Sequence, residues 1–227
     1  MTSIAAPAVS DPALPSFHAR ITALTPVKPP MLRTASGRAF YLGAPDAGQV
    51  HWRDVAAQLA KICRFAGATQ MHYSVAQHSV LVADIVTARY PRDLLAPIYA
   101  LLHDAHEMIT GDIPAPVKDY LHRAIGWKLL DAFEQDLDEG FTRAAGLPWP
   151  VPNAVAEQVH MADMVARHAE ARELLPEPFR GVPPWPDLKN MKPWHKRVVP
   201  LDWSAAEDLF LDRLTELAGL AGLPIRV

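Results

Sequence analysis

The sequence predicts an all-α fold with a small β-hairpin near its start, and three observations carry that prediction. Apolar residues recur at helical spacing through most of the stretch from Trp52 to Leu175 and again between Leu209 and Leu217. Proline clusters punctuate those runs, and only Met31 to Leu42 offers short strand-like pieces around a turn, at Ser36-Gly37. With 227 residues, 50% of them hydrophobic, the chain has material for one sizeable core. It is expected to form one structural domain in three parts: an extended arm with a hairpin over 1–50, a helical core over 51–175, and a proline-rich loop with a final helix packed on that core over 176–227.

Composition narrows the function classes. A net charge of −3 gives no basic surface for a nucleic-acid polymer, although a local cationic pocket for one small anion remains open. The lone cysteine, Cys63, rules out an intrachain disulfide, fits an intracellular setting, and reads as a small buried hydrophobe. Met1 to Ser10 lacks the basic start and unbroken apolar centre of a signal peptide, and no run of about 18 apolar residues suggests a membrane span. A cytoplasmic location is therefore expected.

Taken in order, residues 1–30 carry Pro7, Pro12, Pro15, Pro26, Pro29 and Pro30 and read as a wrapping arm. The first helix is expected from Trp52 through Val55, Leu59, Ile62, Cys63 and Ala66 to a stop at Gly67, with Arg64 and Phe65 in its last turn. Arg64 there either caps terminal carbonyls or points a planar cationic fork at a phosphate. Ser74 is a good N-cap for the next helix, on which Val75, His78, Val82 and Ile85 share a face, so His78 points inward. His72 falls in the loop before it.

A third helix is expected over Arg92 to Met108, with Leu94, Leu95, Ile98, Leu101, Leu102 and Ala105 as core, broken sharply by Thr110-Gly111-Asp112-Ile113-Pro114-Ala115-Pro116. It holds His103, Asp104, His106 and Glu107, and helical spacing puts Glu107 on a face with His103 and Asp104, about 5–6 Å apart at Cβ. Asp112 either caps the following helix or reaches a substrate hydroxyl.

Lys118 to Ala145 reads as one or two helices with Tyr120, Leu121, Ile125, Leu129, Phe133 and Leu137 as stripe and a solvated acidic face of Asp131, Glu134, Asp136, Asp138 and Glu139. Asn153 is expected to cap a helix to about Leu175, on which Asp163 stands between Ala162 and Met164, either exposed and idle or supplying a ligand from a third helix. Residues 176–200, with Trp185, Trp194 and His195, read as a long ordered loop, and Ser204 to Glu207 has capping-box spacing for the last helix.

A histidine and aspartate inside an apolar run need partners, because burying charge without them is costly. His78, His103, Asp104 and Asp163 together make two imidazoles and two carboxylates from three helices, a set suited to one divalent Mn²⁺, Co²⁺, Fe²⁺, Ni²⁺ or Zn²⁺ ion over Ca²⁺. Structural zinc sites favour cysteine closure, so the set reads as a catalytic type.

The ordered series Arg64-Phe65, Gln77-His78-Ser79, His103-Asp104-Ala-His-Glu107, Thr110-Gly111-Asp112-Ile-Pro114 and Ala162-Asp163 resembles the HD-domain metal-dependent phosphohydrolases, most closely their YfbR-like 5′-deoxynucleotidase branch. The likeness covers roughly Trp52 to Leu175. It implies an HD-domain helical bundle, a metal on His78, His103, Asp104 and Asp163, and Glu107 positioning or deprotonating the attacking water. It further implies that Arg64 holds the phosphate, that Asp112 contacts the sugar 3′-hydroxyl, and that the chain forms a homodimer. The family usually has a tryptophan after the arginine, packed near the sugar, and this sequence has Phe65 at that position. The implied reaction is removal of the 5′-phosphate from deoxyribonucleoside monophosphates by metal-activated water. Two alternatives remain open: a nucleoside-triphosphate hydrolase or cyclic-nucleotide phosphodiesterase on the same core, and a nucleotide-binding module without turnover.

Overall fold

A computed structural model of the chain describes residues 30–42, 46–125, 128–178, 180–182 and 191–227. The proline-bearing arm before residue 30, Trp185 and the side chains of Ile125 and Leu129 lie outside the described residues.

The expected hairpin is present as β1 (Met31–Arg33) and β2 (Ala39–Tyr41), antiparallel with Leu32 opposite Phe40. Its turn is fastened to α1 (Trp52–Leu59) by one buried carboxylate. Asp54 accepts hydrogen bonds from Thr34 Oγ1 at 2.8 Å, Ser36 N at 2.7 Å and Ser36 Oγ at 2.8 Å. Phe40 turns inward and stacks on Phe141 at 6.2 Å between ring centroids.

The centre of the molecule is α2 (Val75–Arg89), packed against α3 (Ala96–Leu102), α7 (Asn153–Leu174) and α8 (Trp203–Ala221), with α1 also against α8. Val75, Ala76, Val80, Val82, Ala83, Ile85 and Val86 are all buried, so α2 is apolar on nearly every side, as a central helix must be. Ser74 caps it, accepting from the Gln77 amide at 3.2 Å. The remaining helices are α4 (Glu107–Thr110), α5 (Ala115–Ile125) and α6 (Lys128–Ala144). No helix among the described residues is long and apolar enough to cross a membrane.

Several boundaries differ from the periodicity. The first helix stops at Leu59, because the chain beyond turns back on itself: Arg64 N bonds Tyr73 O at 2.9 Å and Val75 N bonds Ile62 O at 3.1 Å. Cys63 is consequently exposed, its thiol donating to His72 Nδ1 at 3.2 Å, while His72 Nε2 donates to the Ala60 carbonyl at 3.0 Å. The helix expected from Arg92 begins only at Ala96, since Asp93 Oδ1 takes the Leu95 and Ala96 amides, and Leu94 is left exposed. It ends at Leu102, and His103 to His106 form a tight turn before α4.

Tyr120, expected in the apolar stripe, faces solvent. The acidic face of α6 is only partly solvated: Glu134 is buried against Lys118, 2.9 Å away, and Asp138 accepts from His106 Nδ1 at 2.8 Å. Pro152 rather than Asn153 holds the N-cap position of α7, and Asp202 rather than Ser204 caps α8, accepting from Ala205 N at 3.0 Å. The described part of the 176–200 loop is pinned by Gln77, which donates to Val199 O at 2.6 Å and accepts from Leu201 N at 3.0 Å.

Asp54→Ala is expected to destabilise the fold by about 3 kcal/mol, since hydrogen bonds to a charged group contribute about 1.5–3 kcal/mol each and are not additive. Urea denaturation followed by circular dichroism measures this, and a midpoint unchanged from wild type contradicts it. Although burial acts to raise its pKa, hydrogen bonds from Ser36 and Thr34 hold Asp54 below the ordinary value. Its contribution is therefore present above the unfolded pKa and lost as pH falls through the lowered one.

Candidate metal centre

His78 projects from the middle of the molecule with no exposure to solvent. Its Nδ1 donates to Glu170 Oε1 at 2.6 Å, which leaves Nε2 to face Asp163 Oδ1 at 3.2 Å and Asp104 Oδ2 at 3.5 Å. His103 is fixed in the same sense. A carbonyl can only accept, so the 2.8 Å contact with Ala100 O puts a proton on Nδ1 and turns Nε2 toward Asp104 Oδ2, 3.2 Å away. The two rings lie 5.3 Å apart between centroids.

One ligand atom each from His78, His103 and Asp163 lie within 4.8 Å of one another, and Asp104 sits against both imidazoles. Both Nε2 atoms are buried with no hydrogen-bond partner. A buried imidazole nitrogen left unpaired costs free energy, and two of them converging among carboxylates fit a divalent cation. The His-His-Asp cluster could therefore hold a metal, with Asp104 beside it.

The turn between α3 and α4 makes this convergence possible. Ala105 N bonds Leu102 O, Glu107 N bonds Asp104 O and Met108 N bonds Ala105 O, contacts three residues apart that tighten the chain. His103 and Asp104 thus come together at a helix end, where the sequence pattern suggested mid-helix neighbours. Glu107, the first residue of α4, is buried, and its Oε2 has no hydrogen-bond partner. Burial, with the charges of Asp104 and Asp112 nearby, raises its pKa to about 10, against the opposing pull of Arg64 and Lys118.

Arg64 and Phe65 stand on a turn with an unusual backbone. Phe65 has φ 55°, Ala66 φ 51° and Gly67 φ 78°, three left-handed residues in succession, of which only glycine adopts the conformation without strain. The turn buries Arg64, with Nη1 3.5 Å from Asp104 Oδ2 and Nε 3.4 Å from Glu170 Oε2. Burial opposes its charge, but Glu170, Asp104, Asp163 and Asp112 raise its pKa further, so the guanidinium stays charged. The Phe65 amide donates to Asp112 Oδ2 at 3.2 Å, and the Arg64 guanidinium carbon lies 5.5 Å from the Phe65 ring centroid. Gly111, at φ 74°, makes the turn that carries the chain from α4 to Asp112.

All of the residues singled out from the sequence, His78, His103, Asp104, Glu107, Arg64, Phe65, Asp112 and Asp163, thus belong to one connected cluster of contacts and charges. Two residues were missed. Glu170 is fully buried and Tyr73 donates to its Oε1 at 2.9 Å. Glu170 stands seven residues after Asp163 on α7, about two turns, and that spacing was a readable signal. Tyr73 had none beyond its place next to the Ser74 cap. His106, left without a role, is buried and bonded to Asp138. His160 lies on the surface of α7.

No family model matches the chain. It is 32% identical over 190 residues to the uncharacterized protein YfdR of Escherichia coli (strain K12), an alignment covering 83% of this chain and 96% of that protein. It is 35% identical over 152 residues to an uncharacterized protein of Rhodobacter capsulatus, covering 63% of this chain and 71% of that one.

Burial and the Arg64 charge lower the His78 pKa, but Glu170 and Asp163 raise it more, to about 9. A cation on Nε2 must displace that proton. Mn²⁺ affinity is therefore expected to rise by up to about tenfold per pH unit between about pH 7 and 9, measured by calorimetry; an affinity independent of pH contradicts this. Ala66→Gly, at an exposed position, is expected to relieve about 1 kcal/mol of left-handed strain and raise the melting temperature, whereas a lowered one contradicts that strain.

Proposed function

The chain belongs to the family of Escherichia coli YfdR, and for it we propose a metal-dependent phosphohydrolase that removes the 5′-phosphate of deoxyribonucleoside monophosphates. One observation carries the reading. Two unpartnered imidazole nitrogens face two carboxylates, with the unpartnered carboxyl oxygen of Glu107 and the charged fork of Arg64 in the same cluster. A binding module needs no such carboxyl beside a metal set, and its presence favours turnover.

A divalent cation on His78, His103, Asp104 and Asp163 would supply a Lewis acid that polarises a phosphate oxygen and acidifies water. The chain's own groups do the rest. Glu107, whose raised pKa makes its ionised form a stronger base, takes the proton of the attacking water and returns one to the leaving 5′-oxygen. Arg64 offers its guanidinium to the phosphate and offsets charge during in-line attack. Asp112, tied to the Phe65 amide, accepts from the sugar hydroxyl while the Phe65 ring packs beside the sugar. The products are a deoxynucleoside and inorganic phosphate.

Phosphate release measured with deoxynucleoside monophosphates, ribonucleoside monophosphates, deoxynucleoside triphosphates and cyclic nucleotides, each with Mn²⁺, Co²⁺ and Mg²⁺, tests this. Release is expected from the deoxynucleoside monophosphates, and silence across the panel would falsify it. Glu107→Gln is expected to keep Mn²⁺ while kcat falls about 10²- to 10⁴-fold. Unchanged kcat removes Glu107 from the reaction.

A further inference from the structure

We infer that Glu170 is a positioning residue for both halves of the site at once, fixing His78 through one carboxylate oxygen and Arg64 through the other. The inference rests on the phosphohydrolase reading and adds to it a single buried group on which metal binding and phosphate binding both depend.

The geometry is specific to the backs of the two side chains. Glu170 Oε1 takes the Nδ1 proton of His78 at 2.6 Å, the nitrogen turned away from the cluster. Glu170 Oε2 faces Arg64 Nε at 3.4 Å, the part of the guanidinium nearest its own chain, and neither of these two buried atoms has a hydrogen-bond partner. Held in this way, His78 presents Nε2 and Arg64 presents its Nη groups. Asp104 also touches both residues, but at those presented atoms, His78 Nε2 and Arg64 Nη1, each at 3.5 Å. Asp104 therefore occupies the ligand side, while Glu170 sets orientation from behind.

Energetics argue the same way. A fully buried carboxylate is a poor source of net stability, because its desolvation offsets what its ion pairs contribute. Glu170 is fully buried, and the groups that meet its two oxygens are His78, Arg64 and the Tyr73 hydroxyl. His78 arrives from α2 and Arg64 from the left-handed turn. Their relative placement is set by a carboxylate on a third element, α7, two turns from Asp163.

Glu170→Gln has the same shape and removes the charge, and two constants read its effect: the Mn²⁺ Kd, by calorimetry, and the inorganic phosphate Kd at saturating Mn²⁺. Both are expected to rise, Mn²⁺ by about 10- to 100-fold, as for other groups that orient a metal-bound histidine, and phosphate by about tenfold from lost preorganisation of Arg64. The sign of the phosphate change is discriminating. Removing a negative charge beside Arg64 without disturbing its orientation would tighten phosphate binding. Phosphate binding that is tighter or unchanged, whatever happens to Mn²⁺, overturns the double role and leaves the hydrolase reading standing. A wild-type chain that binds no phosphate at saturating Mn²⁺ overturns both. Should Glu170→Gln lose its helical circular dichroism, Glu170→Asp, one methylene shorter, takes its place with the same two constants expected to rise.

Discussion

A histidine with no solvent exposure, placed on the central helix α2, sets the terms for everything around it. Both of its ring nitrogens need partners, and at a fully buried position these must come from the groups around it. Glu170 answers one nitrogen, while the other looks toward Asp163 and Asp104. To bring those carboxylates in, α3 has to end where it does, the chain has to tighten through His103 to His106, and α7 has to pack against α2. The fold is arranged to enclose polar groups that a simple apolar core would exclude.

Charge balance explains why this enclosure makes chemical sense. Asp104, Asp163 and Glu170 are all held ionised despite burial, and their positive neighbours are Arg64 and the imidazoles. Asp163 in particular lies well below the ordinary carboxylate range, since the contact with His78, 3.2 Å away, and the charges of His103 and Arg64 outweigh its desolvation. Glu107, beside the same carboxylates, has its pKa raised by burial and by the charges of Asp104 and Asp112. The cluster therefore separates its acids into Asp104, Asp163 and Glu170, held low, and Glu107 and Asp112, pushed up. Behind His106, the pairs with Asp138 and between Lys118 and Glu134 continue the polar network into α5 and α6.

How much of this was readable from residues alone depends on range. Local chemistry was legible: Ser74 as a cap, the turn at Gly111, the inward face of His78 and the ligand-type residues of the His103 to Glu107 run all follow from short spacings. What failed was continuity. Periodicity carried helices through residues 60–66 and 103–106, because the apolar pattern persists there while the backbone departs, at the first through Tyr73 and Ile62 pairing with Arg64 and Val75 and at the second through hydrogen bonds three residues apart. The same limit hid Glu170 and the inward turn of Glu134 and Asp138, whose partners lie 16 to 97 residues distant in the chain. A charged residue on a helix reads as solvated until its partner is known. Asp54 illustrates the point on a smaller scale, since only the folded hairpin turn shows why an acid is buried there.

The central claim is that one cation sits where His78, His103, Asp104 and Asp163 converge. Crystals of the chain grown with Mn²⁺, measured on both sides of the manganese absorption edge, test it most directly. The account predicts a single anomalous peak in coordination distance of both Nε2 atoms and of the two aspartates. No peak there, or one coordinated by other residues, would contradict it.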